Sequence, residues 1–96
     1  MAIRTKTLTQ TGVGESLSFD IKDSNTIAIA WLVATTGTVT YSLRHSLDDI
    51  NFIDNGDATA LTADADGNYI LPIRSVRVKV TAGTGSATLV VRQLVV

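Results

Sequence analysis

The chain lacks cysteine altogether and has one proline, one histidine and only 5% aromatic residues, and each shortage removes a class of explanation. Without cysteine there is no disulfide framework, and the redox compartment stays open. With His45 the only histidine, a Ser-His-Asp scheme has a single possible base, and no serine sits in a G-x-S-x-G elbow. Phe19, Trp31, Tyr41, Phe52 and Tyr69 are the whole aromatic complement. They are too few to interleave with cations as in single-strand nucleic-acid binders, or to build a sugar-stacking platform. Charge is scarce too: 18% of residues, net -1, with a pI near 5.6. That leaves no basic footprint for nucleic acid and no polybasic membrane anchor, while low net charge favours association. The longest apolar run, Ile27 to Ala34, is far below the roughly 20 residues that span a bilayer. Residues 1–10 lack the apolar core of a signal peptide, so the chain is expected to be made in, and to stay in, a bacterial cytoplasm. No enzyme, cofactor, metal, nucleic acid or membrane is called for.

What is present is a repeat of two, the side-chain period of a strand. Thr38 to Arg44 alternates without a break and puts Val39, Tyr41 and Leu43 on one face. Arg74 to Val80 does the same, with Val76, Val78 and Val80 inward and Arg77 and Lys79 outward. Ser16 to Ile21 repeats the pattern with Leu17, Phe19 and Ile21. Ile27 to Ala34 is apolar on both faces and reads as a central strand, whose Ala28, Ala30 and Ala34 ask for something closely packed. Residues 87–96 alternate loosely and end in Leu94, Val95 and Val96, an apolar end that wants a partner.

Turn residues separate these runs: Thr36-Gly37, Asn55-Gly56, Asp66-Gly67 and Ala82 to Gly85. Pro72 suits an edge strand or a bulge. Leu47 to Phe52 is the one segment that suggests a helical turn. Ninety-six residues make one domain with a modest core. The expected architecture is all-β: an antiparallel β-sandwich, jelly-roll-like, of seven to eight short strands over 1–96, with residues 1–11 an edge strand or an arm.

Each candidate site has a plainer reading. Asp48, Asp49, Asp54, Asp57, Asp64 and Asp66 cluster, and Asp64 to Asn68 has the look of a calcium loop. It lacks the distal glutamate that would close the cage, so a hairpin turn at Asp66-Gly67 is the expectation, with a weak cation site at Asp64 and Asp66 as its alternative. His45 is expected to be a half-buried strand-end residue. Gly12 to Gly14 and Gly83 to Gly85 open no helix and carry no G-K-[ST], so they read as turns and not phosphate cradles. Arg74, Arg77, Lys79 and Arg92 form a basic stripe if the last two strands pair. Such a stripe reads as a solvated face or a contact with an acidic protein neighbour.

The run from Trp31, W-L-V-A-T-T-G-T-V-T-Y-S-L-R-H-S-L-D-D, followed by D-A-D-G-N-Y-I-L-P-I-R-S-V-R-V-K-V-T-A-G-T-G-S-A-T-L-V-V-R-Q, resembles a family of small virion proteins of tailed bacteriophages. The likeness covers about two-thirds of the chain and is most specific in G-T-V-T-Y, D-G-N-Y and P-I-R-S-V-R-V-K-V-T-A-G-T-G-S. It implies a non-enzymatic decoration, or cement, protein on the capsid surface, a compact β-fold that forms homotrimers against the major capsid protein. Leu94-Val95-Val96 runs past the point where such relatives stop, and the first thirty residues match less well. A head-to-tail connector or tail subunit, and a virion carbohydrate-binding module, are the alternatives. The expected contact residues are Ile3, Leu8, Arg77, Lys79, Leu94, Val95 and Val96.

Overall fold

The computed structural model describes residues 2–21, 26–69 and 73–96. Nine strands follow in order: β1 (Ala2–Thr11), β2 (Gly14–Glu15), β3 (Phe19–Asp20), β4 (Thr26–Thr36), β5 (Val39–Ser46), β6 (Phe52–Asp54), β7 (Ala65–Tyr69), β8 (Ser75–Gly83) and β9 (Ser86–Val95). They form two antiparallel sheets, ordered β1-β9-β4-β7 (sheet A) and β2-β8-β5-β6 (sheet B), with β3 also on β8. β2 and β3 share one edge of β8 and amount to a single interrupted strand. The pairings are then first with last (β1–β9), second with second-last (β2/β3–β8), third with third-last (β4–β7), and the two innermost together (β5–β6). Successive pairs fall alternately in the two sheets. This is a long hairpin rolled up on itself, the jelly-roll arrangement, and it bears out the expected all-β sandwich.

The core lies between the sheets and follows the period of two. Leu8, Ile29, Trp31, Val33, Leu89 and Val91 from sheet A meet Phe19, Val39, Tyr41, Leu43, Val76, Val78 and Val80 from sheet B. β9 alternates strictly rather than loosely, with Ala87, Leu89, Val91, Gln93 and Val95 all buried. Turns gather at one end, where Gly85 N–H donates to Thr38 O and Gly12 N–H to Gly85 O, both at 2.9 Å. Gly83, at φ +95°, and Gly85 lie so close to the Thr36–Thr38 turn that a Cβ on either would strike a backbone carbonyl.

Three local expectations are corrected. Asp66-Gly67 is no hairpin turn: both residues lie within β7, opposite Leu32 and Trp31. Gly67 is required by the Trp31 indole, which fills the space a Cβ would take, 2.8 Å from Cζ2. Leu17 does not join Phe19 and Ile21 inside but is exposed. At the interruption Ser16 N–H donates to Val78 O and Ser16 Oγ accepts from Val78 N–H, which breaks the alternation. Leu47 to Phe52 makes no helical turn, because Asp48 and Ser46 side chains take the backbone N–H groups of that loop and Asp49 sits at φ 64°. Pro72 lies outside the described residues.

Candidate interaction surface

The polar groups that could carry chemistry are spent on structure. Asp48 Oδ1 accepts from the Ile50 and Asn51 amides and from Ser46 Oγ, and Oδ2 accepts from Asn51 Nδ2. These bonds hold its carboxyl far below the usual carboxylate range. Asp64 Oδ1 accepts from Thr35 N–H and Thr35 Oγ1, both at 2.8 Å, which lowers its pKa and ties the start of β7 to the end of β4. With Asp64 so engaged and Asp66 on a strand, the two do not converge, and no three metal-ligating side chains group among the described residues. No aromatic ring offers a free stacking face among the described residues: Phe19, Trp31 and Tyr41 are buried, Phe52 lies under Arg77 and Tyr69 meets His45.

His45 is half-buried, as expected, with Nδ1 3.1 Å from Tyr69 Oη and the two rings edge to face at 5.2 Å. Burial pulls the His45 pKa down and pushes that of Tyr69 up to about 12. Both shifts favour the neutral pair that closes the sandwich between β5 and β7. The unfolded chain takes up the His45 proton more readily, so stability is full above about pH 6.5 and declines as pH falls through that value. For Tyr69 the loss comes as pH rises above about 10, where the unfolded chain ionises first. Thermal melts across pH are expected to show both limbs. His45→Gln should flatten the first and Tyr69→Phe the second, and a melt that ignored the His45→Gln change between pH 7 and 5 would contradict the assignment.

The two outer faces of the sandwich differ sharply. On sheet B, Glu15 pairs with Arg44 at 2.8 Å and Arg77 at 3.2 Å, Arg44 also reaches Asp54 at 3.0 Å, and the Arg77 guanidinium lies 3.7 Å above the Phe52 ring. Burial works to raise the Glu15 pKa, but the Arg44 hydrogen bond and the Arg77 and Lys79 charges outweigh it, and the carboxylate stays ionised. Glu15, Arg44, Asp54 and Arg77 are thus paired with one another, while Lys79 makes no ion pair among the described residues. Sheet A is another matter. Its register aligns Ile3 with Leu94 and Ala28; Thr5 with Arg92, Ala30 and Asn68; Thr7 with Val90, Leu32 and Asp66; and Thr9 with Thr88 and Ala34. Short apolar side chains and threonines dominate, with a single cation and a single anion. Ile3 is 57% and Leu32 44% exposed, and two shallow depressions cross the face, one along Ile3, Ala28 and Leu94, the other along Leu32, Val90 and Asp66. Four strands about 4.8 Å apart and about eight residues long at about 3.3 Å each give it a footprint on the order of 500 Å². Within that footprint Ile3, Ala28, Ala30, Leu32, Val90 and Leu94 adjoin one another as an exposed apolar patch, and such a patch is a candidate interaction site.

Of the expected contact residues, Ile3 and Leu94 sit on this face and Val96 is exposed at its end. Leu8 and Val95 are not available: they alternate inward and are buried, 6% and 7% exposed, so the chain's own core takes them. Arg77 and Lys79 belong to the opposite face. The basic stripe does not form, because β8 and β9 pair in different sheets and Arg92 lies on sheet A. Ala2–Thr11 is an edge strand, paired along its length with β9. Sequence reasoning missed Leu32 and Val90. The signal was there in the doubly apolar Ile27 to Ala34 run, whose second face nothing among the described residues covers. No family model, curated protein or solved structure gives a significant match to this chain.

Proposed function

We propose that the protein is a non-enzymatic structural component of a tailed-phage virion, a capsid decoration protein that forms homotrimers and binds the major capsid protein on the capsid surface. The observation that carries this reading is the exposed apolar patch on sheet A, set against a sheet B face where Glu15, Arg44, Asp54 and Arg77 are paired with one another. The resemblance of the Trp31 to Gln93 run supplies the setting. Burying a few hundred Å² of that face at ~25 cal/mol per Å² gives a gross gain on the order of 10 kcal/mol per copy, before the cost of immobilising the subunit. That suits a protein that strengthens a shell through many weak, repeated contacts. The side chains in contact would be Ile3, Ala28, Ala30, Leu32, Val90 and Leu94.

Mass spectrometry of purified particles tests the reading. The expected result is a copy number comparable with that of the major capsid protein, and loss of the protein from particles carrying Leu32→Asp, a carboxylate that the interface would have to bury unpaired. A copy number equal to that of one symmetric ring would assign the chain to the neck or tail instead, and absence from particles would overturn the proposal.

A further inference from the structure

Charge is segregated along the chain. Residues 45–73 hold six aspartates and no lysine or arginine, a net -6, whereas all other residues carry eight cations against three carboxylates, a net +5. The fold gathers the acidic stretch on one flank, while the cations on strands are spread over β1, β5, β8 and β9, with Arg4 and Lys6 on the opposite edge. The acidic stretch forms the β5–β6 loop, β6, the 55–64 connection and β7. β6 is an edge of sheet B and β7 an edge of sheet A, and they lie on the same flank: His45 of β5 touches Tyr69 of β7, and Tyr41 of β5 exchanges backbone hydrogen bonds with Leu61. Asp57 and Asp66 are exposed there, and their carboxylates have no partner among the described residues. The other flank is β1 with β2 and β3. Arg4 crosses from β1 to β3, with NH1 2.8 Å from Gln93 Oε1 and 3.2 Å from Ile21 O and its guanidinium 5.0 Å above the Phe19 ring. Lys6 is exposed on the same strand with no ion pair among the described residues. The carboxylates of that flank are taken, Glu15 by Arg44 and Arg77 and Asp20 by Arg74.

We propose that copies of this chain associate head to tail, the Arg4–Lys6 edge of one copy lying against the Asp57–Asp66 edge of the next. Opposite charges attract across such a contact, whereas pairing of like edges sets cation against cation or carboxylate against carboxylate. The inference rests on the oligomeric reading above and deepens it. A three-fold ring requires a heterologous contact, since an isologous one closes at two copies. Edge pairing takes only the Asp66 rim of the sheet A face, leaving Ile3, Ala28, Ala30 and Leu94 for the particle.

Sedimentation velocity on the full chain, with charge reversal on each edge, tests this. Wild type is expected to form a faster species at low ionic strength, where the screening length is about 30 Å, and to shift to monomer near 1 M salt, where it is about 3 Å. Lys6→Glu and Asp57→Lys/Asp66→Lys should each lose that species while melting within a few degrees of wild type. An equimolar mixture of the two should regain association as mixed pairs, because the two altered edges, and likewise the two unaltered ones, then meet with opposite charges. A closed ring of three, by contrast, keeps one contact between like variants. Assembly that ignores salt and both reversals, a wild type that stays monomeric at low salt, or a mixture that stays monomeric overturns the proposal. The particle assay keeps the two readings apart. Monomers that still co-purify with particles sink only the edge contact, and an assembly absent from particles sinks only the virion role.

Discussion

Replacing Gly67 with alanine is expected to destabilise the protein by about 2–3 kcal/mol, although the position is half-buried and tolerates alanine's backbone angles. The cause is one side chain. A methyl at Gly67 would lie 2.8 Å from Cζ2, 2.9 Å from Cε2 and 3.0 Å from Nε1 of Trp31. The indole is wide and rigid and only 4% exposed, packed in the core with β9 on one side of its strand and β7 on the other. It cannot retreat without opening the sandwich, so strain spreads into β7. The check is a double-mutant cycle by urea denaturation. Trp31→Phe alone should cost a few kcal/mol as a cavity opens, yet it removes the atoms that the new methyl would strike. The two costs should therefore fall short of their sum by about 1–2 kcal/mol. Strict additivity would show that Gly67 is required for some reason other than the indole.

Gln93→Leu should cost about 3 kcal/mol, despite adding an apolar residue to a buried position. Gln93 is fully buried in β9 and ties β1, β4 and the residue that follows β3 to it. Its Nε2 donates to Ile21 O at 2.9 Å and to Thr26 Oγ1, and its Oε1 accepts from Arg4 NH1. Leucine fills the volume but removes both Nε2 hydrogen bonds and the oxygen that accepts from the Arg4 guanidinium, and losing them inside the core costs about 1–3 kcal/mol. Gln93→Glu retains the acceptor toward Arg4 and should be less damaging at neutral pH than leucine. Equal losses for the two would mean that Arg4 contributes nothing to this junction.

These two residues also mark where the sequence stops being legible. The alternation of Val39, Tyr41 and Leu43, and of Val76, Val78 and Val80, states the core directly, because a period of two admits one assignment of faces. Gly67 was misread since glycine between Asp and Asn is the usual composition of a turn, and the opposing reason, an indole thirty-odd positions away, is a tertiary contact that no local pattern encodes. Gln93 hid for the same reason. A lone amide in an apolar run looks like a break in the pattern, whereas it is the inward residue whose hydrogen bonds replace those that an apolar neighbour would leave unmade. Leu17 followed its neighbours' phase in the sequence and lost it in the fold to a serine hydroxyl. The candidate surface was half legible. The doubly apolar β4 announced a second face needing cover, but Arg77 and Lys79 could be assigned to the opposite side only once β8 and β9 were known to lie in different sheets.

The rolled-hairpin pairing also governs the order in which the fold can be completed. β1 and β4 are neighbours in space only through β9, which lies between them. As the chain leaves the ribosome, every strand of sheet A except its middle one is made first, and β1 and β4 wait with bare hydrogen-bonding edges for residues 86–95. Contacts this far apart in sequence place folding in the slow range of small domains, milliseconds to seconds. A chain interrupted before Ser86 therefore loses the strand that joins the two halves of its sheet, and leaves the β1 and β4 edges that β9 would pair seeking partners among other nascent copies.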